Sequence, residues 1–396
     1  MKQKGAEKTG CSQDNKGMIT KTIHAIYKIN LGIKRNERVI VFTDRVTPSE
    51  VLRENDLCRR ERLRDISLLT AEIGKAFTKK IIYHEYAATE SHGAEPPEEL
   101  WNMAFGQRAI SELKRHRLLP LLIKKEITDD GIKRAEAIIS KNKRYAVNAV
   151  IALSNYSTSH TRFRDFLTRI CGCRYASMPI FDVSMLEGSM NVDWKRLSKR
   201  TMSIARIVNT AETIEIKTPN GTHITMSKKG RQALSDDGIL TKPGSFGNLP
   251  AGEVFFAPIE GTARGKLVLE WATTRELKSP VTLIIEEGIV KEIIGDEPYA
   301  DYLRAKLNEK NENRNIAELG IGTNDRAKRP DNILESEKIL GTIHIALGDN
   351  SSFGGRVKTP FHQDFVFFKP TVMLKTKDNK CVYLLKDGIL QMTDDR

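Results

Sequence analysis

Apolar and polar positions fall into two textures along this chain. In the first half, short unbroken apolar runs alternate with stretches whose apolar residues recur at helical spacing. Arg38-Val39-Ile40-Val41-Phe42-Thr43-Asp44 is rich in β-branched residues and reads as a buried strand, preceded by a helical pattern over 19–31. Ile66, Leu68, Leu69, Ile73 and Phe77 mark a helix over 65–78, and Lys79-Lys80-Ile81-Ile82-Tyr83-His84-Glu85 a second strand. The apolar run 147–153, the polar turn Ser154 to His160 and the helical spacing of Phe163, Phe166, Leu167 and Ile170 repeat the pattern. Strand, helix, strand in this order predicts parallel pairing, so residues 17–205 are expected to form an α/β domain with a largely parallel sheet.

From 206 onward the texture changes. Thr213 to Met226 alternates apolar and polar residues on both sides of Asn220-Gly221, a hairpin signature. Further strands are expected over 253–257, 265–270, 281–286, 342–347, 364–368 and 382–386, with one helix over 298–311. Residues 206–396 therefore predict a strand-rich α+β domain. Residues 1–16 are polar, include two glycines and predict an N-terminal arm.

Charge widens the choice of partner before motifs narrow it. Lys and Arg number 64 against 51 Asp and Glu, a formal charge of +13 that suits nucleic acid, an anionic surface or simple solubility. The basic runs Arg59-Arg60-Glu61-Arg62-Leu63-Arg64, Lys114-Arg115-His116-Arg117 and Lys195 to Arg200 are short. They lack interleaved aromatics or a helix-turn-helix signature, which argues against nucleic acid and a non-enzymatic binding module. No run of eighteen apolar residues predicts a membrane span, and the N-terminus lacks the apolar stretch of a secretory signal. Five cysteines without a Cys-x-x-Cys pair write neither a disulfide framework nor a zinc knuckle, so a cytoplasmic protein is expected.

The candidate chemistry lies in the second half. In the strand-like Pro360-Phe361-His362-Gln363-Asp364-Phe365-Val366, residues two apart share a face, so His362 and Asp364 are neighbours. An imidazole and a carboxylate beside Val366 form either a hydrogen-bonded pair or part of a metal shell. His344 lies on the preceding strand, within reach of a hairpin neighbour, or is an ordinary core histidine. Glu253 and Glu318 sit among small and apolar residues, an unusual setting for a carboxylate.

Four ordered phrases carry a resemblance: Asn248-Leu249-Pro250-Ala251-Gly252-Glu253-Val254, Ala317-Glu318-Leu319-Gly320-Ile321-Gly322-Thr323-Asn324, His344-Ile345-Ala346-Leu347-Gly348 and His362-Gln363-Asp364. Together they resemble the thermophilic metallo-aminopeptidases of the aminopeptidase T and aminopeptidase S group. The resemblance implies that Glu253, Glu318, His344, His362 and Asp364 bind two divalent ions, zinc, cobalt, manganese or magnesium. It also implies a further glutamate upstream of the first histidine, for which Glu335 and Glu337 are candidates and Glu337 is the nearer. Where that family has a tyrosine after the first histidine, this chain has Ser351, Ser352 and Phe353.

The expectation that follows is a cytoplasmic, homodimeric hydrolase removing N-terminal residues from peptides. Glu318 would bridge two ions that activate a water, and Glu253 or the upstream glutamate would meet the substrate amino group. The alternative is a mononuclear non-haem iron dioxygenase cleaving hydroxylated pyridine rings, which by resemblance shares the fold. His344, His362 and Asp364 suffice for its ligand set. Glu253 and Glu318 decide for the hydrolase here, because a three-ligand iron site has no evident use for them.

Overall fold

A computed structural model describes residues 13–273 and 275–391, so most of the arm expected over 1–16 lies outside the described residues. The chain divides into two compact units. One comprises the residues through Asn191 with Leu240–Gly247, the other Val192–Ile239 with Asn248 onward.

In the first unit, β1 (Arg38–Arg45), β2 (Lys80–Ala87), β3 (Ala149–Ala152) and β4 (Arg174–Ser177) form a parallel sheet in the order β2-β1-β3-β4. The helix between β1 and β2 is longer than its periodicity indicates, running Glu54–Gly74. Its first half is charged, and the burial of Arg60 there rests on an ion pair with Glu50 rather than on an apolar stripe. Four helices unmarked in the sequence reading, Glu98–Phe105, Gln107–Arg115, Leu118–Ile123 and Asp129–Asn142, link β2 to β3. Trp101 packs there with Phe105 and Phe163, ring centroids 5.1 and 5.5 Å away.

The second unit is strand-rich, as its alternation predicts. It begins with the helix Trp194–Val208, whose first turn is capped by Asp193 accepting from the amides of Lys195 and Arg196. Then follow β5 (Ala211–Lys217), β6 (His223–Ser227) and β7 (Leu234–Asp236); β8 (Phe246–Asn248), whose residues through Gly247 belong to the first unit, stands beside β4 in that unit's sheet, and the second unit continues with β9 (Glu253–Phe256), β10 (Arg264–Trp271), β11 (Glu276–Glu286) and β12 (Ile289–Ile294). After the helix Pro298–Glu309 come β13 (Ile316–Gly322), β14 (Ile343–Gly348), β15 (His362–Phe367), β16 (Thr371–Thr376), β17 (Cys381–Lys386) and β18 (Ile389–Leu390).

These strands build two antiparallel sheets, in the orders β12-β11-β10-β6-β5-β16-β17-β18 and β15-β14-β13-β9-β7. The expected hairpin closes through Asn220 and Gly221 between β5 and β6. Both sheets share one core, to which the larger gives Ile214, Ile224, Leu267 and Leu283 and the smaller Phe256, Leu319, Ile321 and Ile345. Among the described residues no helix is long and apolar enough to cross a membrane.

Candidate metal centre

The smaller sheet carries the candidate residues on one face. Glu318 lies opposite Ala346, and Ala346 opposite Asp364. Gly320 faces His344, Gly322 faces Glu253, and Gly348 faces His362. Side chains alternate across a strand, so these positions point one way while Val254, Leu319, Ile321, Ile345 and Phe365 point into the core. Glycine and alanine between the reactive residues leave space for them. At Gly320 a Cβ would stand 1.9 Å from two atoms of the His344 ring, so the imidazole occupies the room that a side chain would take. A register shift between Ile316 and Glu318 marks a bulge just before that carboxylate, a device that re-aims a side chain.

Five sequence candidates thus come from four strands, and Glu337 joins them from the end of the short helix Ile333–Ser336. His344 Nε2 stands 3.3 Å from Glu253 Oε2 and 3.5 Å from Glu318 Oε1. His362 Nε2 stands 3.6 Å from both Glu318 Oε2 and Asp364 Oδ2. The two histidines meet through Glu318 rather than directly. The other candidate, Glu335, is turned away: its Oε1 accepts from the amides of Lys328 and Arg329.

Three groups have ligand atoms within 4.8 Å of one another: Glu253, Glu318 and His344; Glu318, His362 and Asp364; Glu337, His344 and Asp364. Glu318 and Asp364 each join both imidazoles, whereas Glu253 and Glu337 join only His344. The donor set fits a metal ion in two further respects. His362 Nδ1 lies 2.8 Å from the carbonyl oxygen of Asp349, which fixes the ring with Nε2 toward the carboxylates. Glu253 Oε2, buried, lacks a hydrogen-bond partner while facing the His344 ring.

Electrostatics follow from this crowding. Burial opposes charge on His344, but Glu318, Glu253 and their neighbours outweigh it and push its pKa up to about 9. At His362 burial is again overcome, chiefly by Asp364, and the value is pushed up to about 10. Asp364 is held well below the carboxylate range because His362 and His344 outweigh its burial. Burial raises Glu318, and pushes Glu337 up to about 7.

A metal ion must displace the imidazole protons, since a protonated nitrogen cannot ligate. With values of about 9 and about 10, both rings are charged at neutral pH in the metal-free protein, so affinity should rise with pH toward those values. Cobalt titration of metal-free protein near neutral pH should release up to two protons per ion, one for each of His344 and His362; a pH-independent affinity would contradict the assignment.

The sequence reading missed Lys338. Its side chain is 0% exposed, and Nζ donates to Glu337 Oε1 at 2.6 Å and lies 2.8 Å from Glu253 Oε1. Burial opposes its charge, yet Glu253, Glu337 and Asp236 hold the ammonium above its ordinary value. Asp236, opposite Glu253 in the register, was missed too, and its pKa is pushed up to about 7 by burial. A single lysine after a glutamate reads as a solvated side chain, so neither position signals itself. Elsewhere, Cys171 and Cys173 flank Gly172 as free thiols, and burial holds both protonated, pushing Cys171 up to about 12 and Cys173 higher.

Residues 182–388, which include every residue of this centre, match the family described as NicX: 2,5-dihydroxypyridine 5,6-dioxygenase. The 2,5-dihydroxypyridine 5,6-dioxygenase of Pseudomonas putida KT2440 is 25% identical over 207 residues, covering 48% of this chain and 58% of that protein. The chain thus matches less than two thirds of that relative's length. A solved structure of 2,5-dihydroxypyridine dioxygenase from Pseudomonas putida KT2440 matches with a TM-score of 0.66 at 18% identity, over 95% of this chain and 97% of the other. AmpT from Thermus thermophilus matches with a TM-score of 0.54 at 14% identity, over 95% and 100%. At such identities the two structures establish a shared fold.

The family match and the curated relative overturn the expectation of a metallo-aminopeptidase, and with it the hydrolase and protease assignments. The resemblance to the aminopeptidase T group holds at the level of fold. Its phrases are the alternating small and reactive positions of one sheet face, and such a face specifies a scaffold rather than a reaction. What stands of the cofactor expectation is that these residues are positioned for metal binding.

Proposed function

Because this chain belongs to the 2,5-dihydroxypyridine 5,6-dioxygenase family, we propose that it is a mononuclear iron dioxygenase opening the ring of a hydroxylated pyridine, with His344, His362 and Asp364 holding the ferrous ion. The observation that carries this is the arrangement in which Asp364 groups with each imidazole on one sheet face. Two histidines and a carboxylate are the ligand set of ferrous oxygenases and leave coordination positions open. Bound there, iron supplies the redox chemistry that joins dioxygen to the ring.

The chain's own residues receive and orient the substrate. The His362 and Asp364 side chains are 25% and 17% exposed and His344 only 1%, so the ring enters from the His362 end. Phe353, half-buried, stands edge-on to His362 at 6.1 Å and to Phe255 at 5.7 Å, an aromatic wall suited to a planar ring. Glu318, its pKa raised by burial, lies between the imidazoles and is placed to hold a proton from a ring hydroxyl on its carboxylate.

The test is anaerobic loading with ferrous iron, followed by 2,5-dihydroxypyridine and isotopically labelled dioxygen. Equimolar consumption of ring and oxygen, with both labelled atoms in the opened product, is the expected outcome. Oxygen uptake no faster than in protein-free iron solution would refute the reading.

A further inference from the structure

The glutamates that a three-ligand iron site leaves idle have a partner in Lys338. We propose that Lys338 is a built-in second cation: its ammonium holds the place between Glu253 and Glu337 where a second metal ion would bind, and thereby limits the centre to one ion. The inference rests on the single-ion reading above and supplies what that reading lacks, a reason for the remaining carboxylates.

The residues separate cleanly. Glu318 and Asp364 each group with both imidazoles, while Glu253 and Glu337 group with His344 alone. Those two carboxylates each turn an oxygen to Lys338 Nζ, at 2.8 and 2.6 Å. Such distances satisfy an ammonium, and a compact positive charge offsets the cost of burying two carboxylates. Asp236, opposite Glu253 on the neighbouring strand, adds negative charge on the same side.

The lysine is fixed by its backbone as well as its charge. Its carbonyl accepts from the Asn324 amide at 2.8 Å, and its own amide donates to the Glu335 carbonyl at 3.0 Å. The Asn324 side chain in turn donates to the Ala251 carbonyl at 2.8 Å, two residues before Glu253. One buried asparagine therefore ties the segment bearing the ammonium to the segment bearing its carboxylate partner.

The experiment counts metal. Metal-free protein is saturated with manganese, freed of excess ion and analysed by elemental mass spectrometry and electron paramagnetic resonance. The wild-type chain should hold one ion with an uncoupled spectrum, and Lys338→Arg should do the same. Lys338→Met should hold two, with the exchange-coupled signal of a close manganese pair, and manganese should raise its unfolding temperature more than it raises the wild type's. Two ions in the wild type, or one in a Lys338→Met protein with wild-type circular dichroism, would overturn the proposal.

Because Lys338→Met strips two buried carboxylates of their counter-charge, Lys338→Gln with Glu337→Gln serves as a second variant, removing the ammonium and one carboxylate together. It should fold and hold one ion, and a coupled pair in it would equally overturn the proposal. No substrate enters these measurements, so their failure is separable from a failure to cleave hydroxypyridines.

Discussion

Asp364→Ala is expected to leave a folded protein that no longer retains ferrous iron and cleaves the ring at background rate. The carboxylate belongs to two of the three ligand groups and is the one shared by His362 and Glu337. Its pKa, driven down by the two imidazoles, keeps it anionic across the physiological range, so it supplies permanent charge to the ion. A ligand contributing several kcal/mol of stabilisation corresponds to a rate loss of roughly a thousandfold or more. Asp364→Asn keeps the shape and removes the charge, and should lose metal nearly as fully. Metal content, circular dichroism and oxygen uptake check both variants, and wild-type uptake by iron-loaded Asp364→Ala would remove Asp364 from the ligand set.

Gly320→Ala should have an effect out of proportion to one methyl group. Nothing about the backbone at this residue disfavours alanine, but the added carbon would fall 1.9 Å from the His344 ring, and the ring must move. A displaced ligand typically costs about ten- to a hundredfold in metal affinity, and overpacking costs about 1–3 kcal/mol of stability. Metal competition titrations and denaturant unfolding read the two effects separately. Unchanged affinity would mean that the imidazole is not positioned by this gap.

Much of the second unit can be read from its alternation, and the reasons for the exceptions are physical. His362 and Asp364 are neighbours because a strand has a two-residue period, and that inference needs no fold. β13 carries Glu318 at the heart of the centre, yet its glycines weaken the strand signal that β-branched residues would give. Those glycines answer to a neighbouring strand: Gly320 makes room for an imidazole, and Gly322 for the backbone at Ile339. Lys338 is invisible for the same reason, since its burial depends on carboxylates over eighty residues away and adjacent in sequence alike. The expectation of hydrolysis rested on Glu253 and Glu318, for which a three-ligand iron site has no evident use; neither the contact of Glu253 with the buried Lys338 ammonium nor the place of Glu318 between the two imidazoles can be read from local sequence.

The smaller sheet divides its labour by face. Leu319, Ile321, Ile345 and Phe365 hold it to the core, while the reactive groups sit on the other side among glycine and alanine. A lineage descending from such a protein can exchange residues on the second face without disturbing the first. Substitutions on the second face therefore change the chemistry of the sheet, while those on the first change the stability of the chain.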